Sequence, residues 1–519
     1  MKIGLEKWIV IVTVVSAALL QLIDTSIVNV TLLQMMGNLG ATLEDIGWVI
    51  TSYAAANVVM IAMAGWLSAR FGRRNFFAAS IIVFTLASIM CGLSTNVWEL
   101  VFFRFIQGIG GGGLLPMSQA IIVETFPKEE LGLANAIYGM GVIIGPTIGP
   151  ALGGLLTDHL SWHWVFFVNI PVGIAATAMT FLYVREPKDR PPSRGMDWPG
   201  IAFLVAGVGA LQVVLERGNQ EDWFDSKMIT FLSVVAAVGV VGFIWRELTC
   251  EHPVVNLKLF AERRFAVGSL FNFILGFGLF SSVFVIPVFA QNFLGFTATD
   301  TGMLLIPGSL ATAFCMPIIG KALQKNGPAR LFSGIGFFMF YLFTAMLAHL
   351  NASSGQGDFF WPLIVRGVGL GLIFIPLMTI TMIGLKGRDI PQGAGITNMV
   401  RQLGGSFGVA LVATFIDRRT AFHQTILSAF VTPYSESARQ RLAGLTNMFS
   451  SLGADAATAH QKALAMLEFT VARQAELLSY LDSFFVVGIF FLACIPLLFL
   501  FGGSKAEPGA PGHTSMVAE

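Results

Sequence analysis

A single aspartate interrupts the first long apolar run of the chain. In LIDTSIVNV, Asp24 lies sixteen residues beyond Trp8, about 24 Å along a helix rising about 1.5 Å per residue. That depth belongs to the interior of a membrane, in its outer half, rather than to an edge. Gln21, Asp24, Thr25 and Asn29 fall on one side of the helix, a polar strip that should face a cavity. An ionised carboxylate at such a depth is costly, so it either carries a proton or stays paired with a buried arginine.

Three arginines are candidates for the same chemistry. Arg104 and Arg366 enter apolar runs from the outer side, and Arg401 enters from the inner side within NMVRQLGGSFG. A buried guanidinium keeps its charge and needs carboxylates, carbonyls or water around it. Arg104 is at a depth comparable to Asp24. An Asp24–Arg104 link, direct or through Gln107, is one reading, and satisfaction of backbone carbonyls in a kinked helix is the other. Asn398 and Arg401 join Gln21, Thr25 and Asn29 as candidate cavity-lining groups.

Other chemistries find no support. Gly108-Ile-Gly110-Gly-Gly-Gly113 matches GxGxxG, but it sits inside an apolar run with no preceding strand and no acidic residue at the right distance, so nucleotide binding is rejected. There is no P-loop lysine motif, no HExxH and no GxSxG elbow. Cys91, Cys250, Cys315 and Cys494 are far apart and form no CxxC pair, which argues against a disulfide framework or zinc site. His159 and His163 read as interfacial residues. No catalytic constellation, metal site or bound cofactor is expected.

These residues must be carried by membrane helices. The chain of 519 residues is 55% hydrophobic and only 12% charged, about half the charge of a soluble domain. A formal net charge of +1 gives no reason to expect nucleic acid as a partner. The first apolar run is longer than a signal-peptide core and reads as a retained span. A span needs about 20 mostly apolar residues. Fourteen candidates follow, near 8–33, 46–68, 75–95, 98–123, 131–157, 163–184, 197–215, 228–248, 265–290, 299–320, 330–350, 359–383, 395–417 and 481–502. Alternating barrel segments are absent, so the chain is expected to be all-α.

Basic residues orient the spans. Arg70, Arg73 and Arg74; Arg185, Lys188, Arg190 and Arg194; Arg246, Lys258, Arg263 and Arg264; Lys321, Lys325 and Arg330; and Lys386 and Arg388 all fall on one side. The short connections on the other side hold only Arg217 and Lys227. With that bias inside, both termini are cytoplasmic. The polar stretch REPKDRPPSRGMD (185–197) is then a cytoplasmic linker, and Arg418 to Tyr480 lies outside. There Leu442, Leu445, Phe449 and Leu452, then Leu464, Leu467, Val471, Ala475 and Leu478, recur at helical spacing. Two amphipathic helices shielding the outer face, or a docking surface for a periplasmic adaptor, would both account for them.

Internal repetition organises the whole. Gly65-Trp-Leu-Ser-Ala-Arg-Phe-Gly72 follows span two, and Gly320-Lys-Ala-Leu-Gln-Lys-Asn-Gly327 follows span ten. Arg104 and Arg366 each precede a glycine-rich run, in spans four and twelve. The division expected is an N-terminal six-helix bundle at 1–184, a linker with accessory spans seven and eight at 185–260, a C-terminal six-helix bundle at 261–502 and a tail at 503–519. In span five, Gly141, Gly145, Gly149 and Gly153 recur every four residues with Pro146 and Pro150 between them. They form a groove free of side chains and are expected to make a bent packing seam between moving halves.

Over essentially its whole length the chain resembles the major facilitator superfamily, and within it the fourteen-span drug:proton antiporters of the EmrB/QacA type. GWLSARFGRR resembles the superfamily's loop motif, LVFFRFIQGIGGG its span-four motif, GVIIGPTIGPALGG the antiporter motif and LIDTSIVNVTL the first-span motif. SWHWVFFVNIPVG and ITNMVRQLGGSFGVA are typical of the subgroup. The resemblance implies two six-helix bundles plus two accessory helices, export, proton coupling through Asp24 with Arg104 and Gln107, and gating through Gly65, Arg70, Gly72 and Arg73. Substrates would be hydrophobic or amphipathic: antibiotics, uncouplers, dyes, fatty acids, or one dedicated metabolite, lipid or siderophore. The long outer stretch resembles the EmrB branch, implying a membrane-fusion adaptor and a TolC-type outer-membrane channel in a Gram-negative inner membrane. Ala69 stands where the loop motif usually has Asp, Leu33 where the first-span motif ends in Pro, and His163 where Arg is common. The first departure shifts cytoplasmic gating to Arg70, Arg73 and Arg74 with partners such as Glu124.

Overall fold

The computed structural model describes residues 5–186, 197–325, 327–382, 385, 387 and 389–501. Most of the linker expected at 185–197, the basic residues Lys386 and Arg388, and the tail at 503–519 lie outside the described residues. All regular structure among the described residues is helical, and fourteen helices are long and apolar enough to cross a membrane.

Spans one to six are Leu5–Leu39, Leu43–Phe71, Arg73–Leu93, Val97–Thr125, Lys128–His159 and Trp164–Tyr183. Spans seven and eight are Trp198–Arg217 and Lys227–Thr249. Spans nine to twelve are Arg263–Phe293, Ala298–Gln324, Ala329–Leu347 and Gln356–Met382. Span thirteen lies in Asp389–Phe430 and span fourteen in Ala456–Cys494. The end bearing Arg70, Arg73 and Arg74 is called the inner end.

Local sequence explains several boundaries. Span two begins with a capping box in which Thr42 and Asp45 satisfy each other's backbone donors, and span ten repeats it with Thr297 and Asp300. Span four breaks at Gly112 and Gly113 between helices Val97–Gly111 and Leu114–Thr125. The glycine run there is a packing device. A Cβ on Gly108 would stand 2.5 Å from the Tyr53 carbonyl of span two, and one on Gly110 2.5 Å from the Phe84 amide of span three. The segment resembling a nucleotide loop thus lets three backbones meet.

Span five contacts both halves through different faces. Gly141, Gly145, Gly149 and Gly153 face Val15, Leu22, Ser26 and Ile27 of span one. The glycine groove therefore joins two helices of the same half, which corrects the expected seam between halves. Gly132, Gly139, Thr147 and Ala151 make that second seam. Cβ atoms on Gly132 and Gly320 would each approach the other's carbonyl within 2.7 and 2.6 Å, and Thr147 Oγ1 lies 2.6 Å from Ser309 Oγ. The helix runs through Pro146 and Pro150 without a break.

Spans seven and eight cross at Gly207 and Gly239, whose backbones touch. At the outer end this pair bridges the halves. Arg217 donates to the Glu44 carbonyl (2.9 Å) and lies over Trp48, while Gln212, Asn219 and Trp223 reach Ser406, Asp417 and Thr414 of span thirteen.

The outer stretch differs from the two amphipathic helices expected to shield the outer face. Residues 418–430 continue span thirteen and 456–480 continue into span fourteen, as unbroken helices of 42 and 39 residues. Only Glu436–Ser451 is a separate helix. It packs on the extension of span fourteen and buries none of its residues, so it does not shield the body of the protein.

Candidate functional site

Asp24 and Arg104 meet inside the N-terminal group of helices, with relative exposures of 0% and 1%. One Arg104 terminal nitrogen donates to Asp24 Oδ2 at 2.6 Å and to Gln107 Oε1 at 2.7 Å. Gln107 Nε2 donates to Asp24 Oδ1 at 2.8 Å, so the link is both direct and bridged. Arg104 Nε also reaches the Val49 carbonyl at 3.3 Å, and its guanidinium lies 4.2 Å from the Tyr53 ring centroid.

Asn169 completes the carboxylate's shell, donating to Asp24 Oδ1 at 2.8 Å and to Ser88 Oγ at 3.0 Å. It opens the second helix of span six, after a short break at Val168. It lies within SWHWVFFVNIPVG, where no spacing sets it apart. Its signal was an amide at the start of an apolar helix. Tyr53 and Ser88 were equally unmarked.

The polar strip of span one does not face one cavity. Asp24 points toward spans four and six, Gln21 is buried against Asn57 with a 3.3 Å hydrogen bond, half-buried Thr25 bonds its own helix, and Asn29 is exposed. At about 100° per residue the four positions spread over roughly 140°, too wide an arc for one surface.

The inner end is closed by contacts between the halves. A Cβ on Gly65 would stand 2.7 Å from Gln392 Cα at the start of span thirteen. Asn398 Nδ2 donates to Gln119 Oε1 of span four at 2.7 Å, and Arg401 holds Asn398 Oδ1 while lying over Phe374. Asn398 and Arg401 thus stand in a buried junction between the halves. Gly72 adopts φ +89, a turn that favours glycine, and its peptide neighbours Arg73 and Arg74 donate their amides to Glu186. Arg73 also pairs with Glu124 and reaches the Gly387 carbonyl at 3.5 Å. Arg70 lies over Trp66. Glu124 therefore supplies an acidic partner where Ala69 has none.

Arg366 repeats the placement of Arg104 in the other half. Its Nε donates to Ser282 Oγ of span nine at 3.1 Å, as Arg104 reaches span one. Among the described residues no cluster of three or more His, Cys, Asp or Glu side chains could hold a metal.

Comparison with known proteins places this arrangement. The family model described as Major Facilitator Superfamily matches residues 14–409. The multidrug export protein EmrB of Escherichia coli (strain K12) is 33% identical over 511 residues, covering 98% of this chain and 97% of that one. The fatty acid resistance protein FarB of Neisseria gonorrhoeae is 33% identical over 498 residues, 96% of each chain. In fold, the crystal structure of the human organic anion transporter MFSD10 (TETRAN) matches with a TM-score of 0.62 at 12% identity, covering 96% of this chain and 100% of that one.

Proposed function

Because this chain belongs to the Major Facilitator Superfamily of membrane transporters, we propose that it exports hydrophobic and amphipathic compounds in exchange for protons. The observation that carries the proposal is the buried Asp24–Arg104–Gln107–Asn169 cluster. Relatives named for multidrug export and fatty acid resistance support the substrate class. Two six-helix bundles at 1–184 and 261–502 would rock about the seams of spans five with ten and two with thirteen.

Protonation supplies the switch. Ionised Asp24 accepts from Arg104, Gln107 and Asn169. A protonated carboxyl no longer balances Arg104, whose charge persists. Removing one partner of a buried ion pair costs about 3–5 kcal/mol. Moving an equilibrium from 1:99 to 99:1 takes about 5.5 kcal/mol. A proton at Asp24 shifts the balance between inward- and outward-open states by the difference in how well each state then accommodates Arg104. Gly65, Gly72, Arg70 and Arg73 would form the inner gate, with Asn398 and Arg401 in the junction behind it.

The bacterial relatives support an inner-membrane address with both termini cytoplasmic. The helical outer stretch supports a tripartite pump with a periplasmic membrane-fusion adaptor and a TolC-like outer-membrane channel. Export of one lipid, fatty acid, siderophore or other metabolite is the second reading, favoured by the relative named for fatty acid resistance.

Gradient-driven dye flux in proteoliposomes tests the proposal. Wild type should lose flux when the proton gradient is collapsed, and Asp24→Asn should lose gradient-driven flux while remaining folded. Flux in Asp24→Asn that still follows the gradient would move coupling elsewhere. Competition among unrelated compounds separates broad from dedicated export.

A further inference from the structure

We infer that the C-terminal half holds an anion-recognition site in which Arg366 and Arg401 receive the negatively charged head of an amphipathic substrate. This assignment rests on the exporter reading above and names the residues that would hold the charged head of an anionic substrate, a carboxylate being the simplest.

The two halves treat their buried charge differently. In spans one to six, Asp24 cancels Arg104. In spans nine to fourteen the buried charged residues are Arg366 and Arg401, each 7% exposed, and no acidic residue is buried beside them among the described residues. Arg366 has a single hydrogen bond, Nε to Ser282 Oγ, so both terminal nitrogens lack a partner among the described residues. Arg401 has one neutral acceptor, Asn398, and the ring of Phe374. An arginine cannot relieve such a site by losing its proton. An uncompensated cation in an apolar interior is strongly unfavourable until an anion or water reaches it.

Position ties the two cations to one path. Arg366, Leu370 and Phe374 follow at intervals of four and share a stripe of span twelve. Phe374 closes on Gly139 of span five, 3.1 Å from its Cβ position, so the stripe meets the seam between the halves. Arg401 stands over the same Phe374 ring at 5.5 Å. About 12 Å of helix separates Arg366 from Phe374. Both cations therefore lie along one buried stripe of aromatic and aliphatic side chains that meets the seam between the halves. The repeat sharpens the point. Ser282 gives Arg366 the contact that Asp24 gives Arg104, and it is neutral. The arginine is kept and the internal counter-ion is missing.

Dodecanoate and dodecyltrimethylammonium, with one tail and opposite heads, are the probes. Binding of each is measured on the full chain in lipid nanodiscs, with empty discs subtracted, and flux of each in proteoliposomes. Arg366→Gln should weaken dodecanoate binding roughly 10- to 100-fold, the worth of a hydrogen bond to a charged group, and leave the cation unaffected. Arg401→Gln should act in the same direction, and Arg366→Lys should restore part of the loss. Ser282→Asp supplies the missing carboxylate, and it should exclude dodecanoate while raising the melting temperature. Unchanged dodecanoate binding in Ser282→Asp, or equal weakening of both probes in folded Arg366→Gln, overturns the inference. Wild type that moves the cation with the proton gradient but does not bind dodecanoate sinks this site and leaves the exporter reading intact. Wild type that binds dodecanoate but moves neither probe sinks export and leaves the site.

Discussion

Arg104 makes five polar or aromatic contacts inside one helix group, to Asp24, Gln107, the Val49 carbonyl, Tyr53 and Phe166. Truncating it strands a buried carboxylate, so Arg104→Ala should destabilise the protein by about 3–5 kcal/mol. Asp24→Asn combined with Arg104→Gln should recover most of that loss, because neither partner is then left charged alone. Unfolding of the purified variants in one detergent measures both values, and additive losses would show that the pair is not coupled. Asp24, Arg104 and Gln107 were legible in the sequence because each is polar where its neighbours are apolar. Asn169 and Ser88 were not, since the meeting of Asn169 with both Asp24 and Ser88 depends on how spans three and six pack on span one. No local spacing encodes that packing.

At the scale of elements, glycine positions decide how closely helices approach. Gly65 lies against the backbone at Pro391 and Gln392. Gly65→Val has no flexible side chain to push aside, so it should hold the inner end open. Thiol labelling of a cysteine placed at Asn398 should then rise against the same cysteine in the parent protein, and unchanged labelling would remove Gly65 from the closing contact. The glycine period of span five was plain in the sequence, yet its partner was not. Small residues every four positions state that a helix comes close, whereas the choice between span one and the opposite half is made by the rest of the bundle. The caps tell the same story in reverse: Thr42 with Asp45 and Thr297 with Asp300 fix their own helix starts within four residues. Such short-range rules are readable without a fold.

For the whole molecule, the count and order of spans followed from hydropathy and basic residues alone, because lipid admits few alternatives to closed helices. The outer stretch was read less well. Its apolar periodicity was visible, but periodicity does not distinguish a separate helix from the continuation of a span. Helix Glu436–Ser451 has no buried residue of its own and rests on the extension of span fourteen. Replacing it with a short flexible linker should leave gradient-driven flux in proteoliposomes unchanged and reduce resistance of intact cells. Equal loss in both assays would place the helix within the transport cycle instead.

The unbroken helix Asp389–Phe430 has a mechanical consequence. Of its 42 residues, 418–430 run on past the expected span as a rigid arm of about 20 Å fixed to the C-terminal half. A rocking motion of about 15°, the size of a familiar subunit rotation, would sweep the far end of an arm of about 20 Å through roughly 5 Å. Whatever touches that end would feel each turnover as a stroke, so the cycle can be timed from outside the membrane without any signal crossing it chemically.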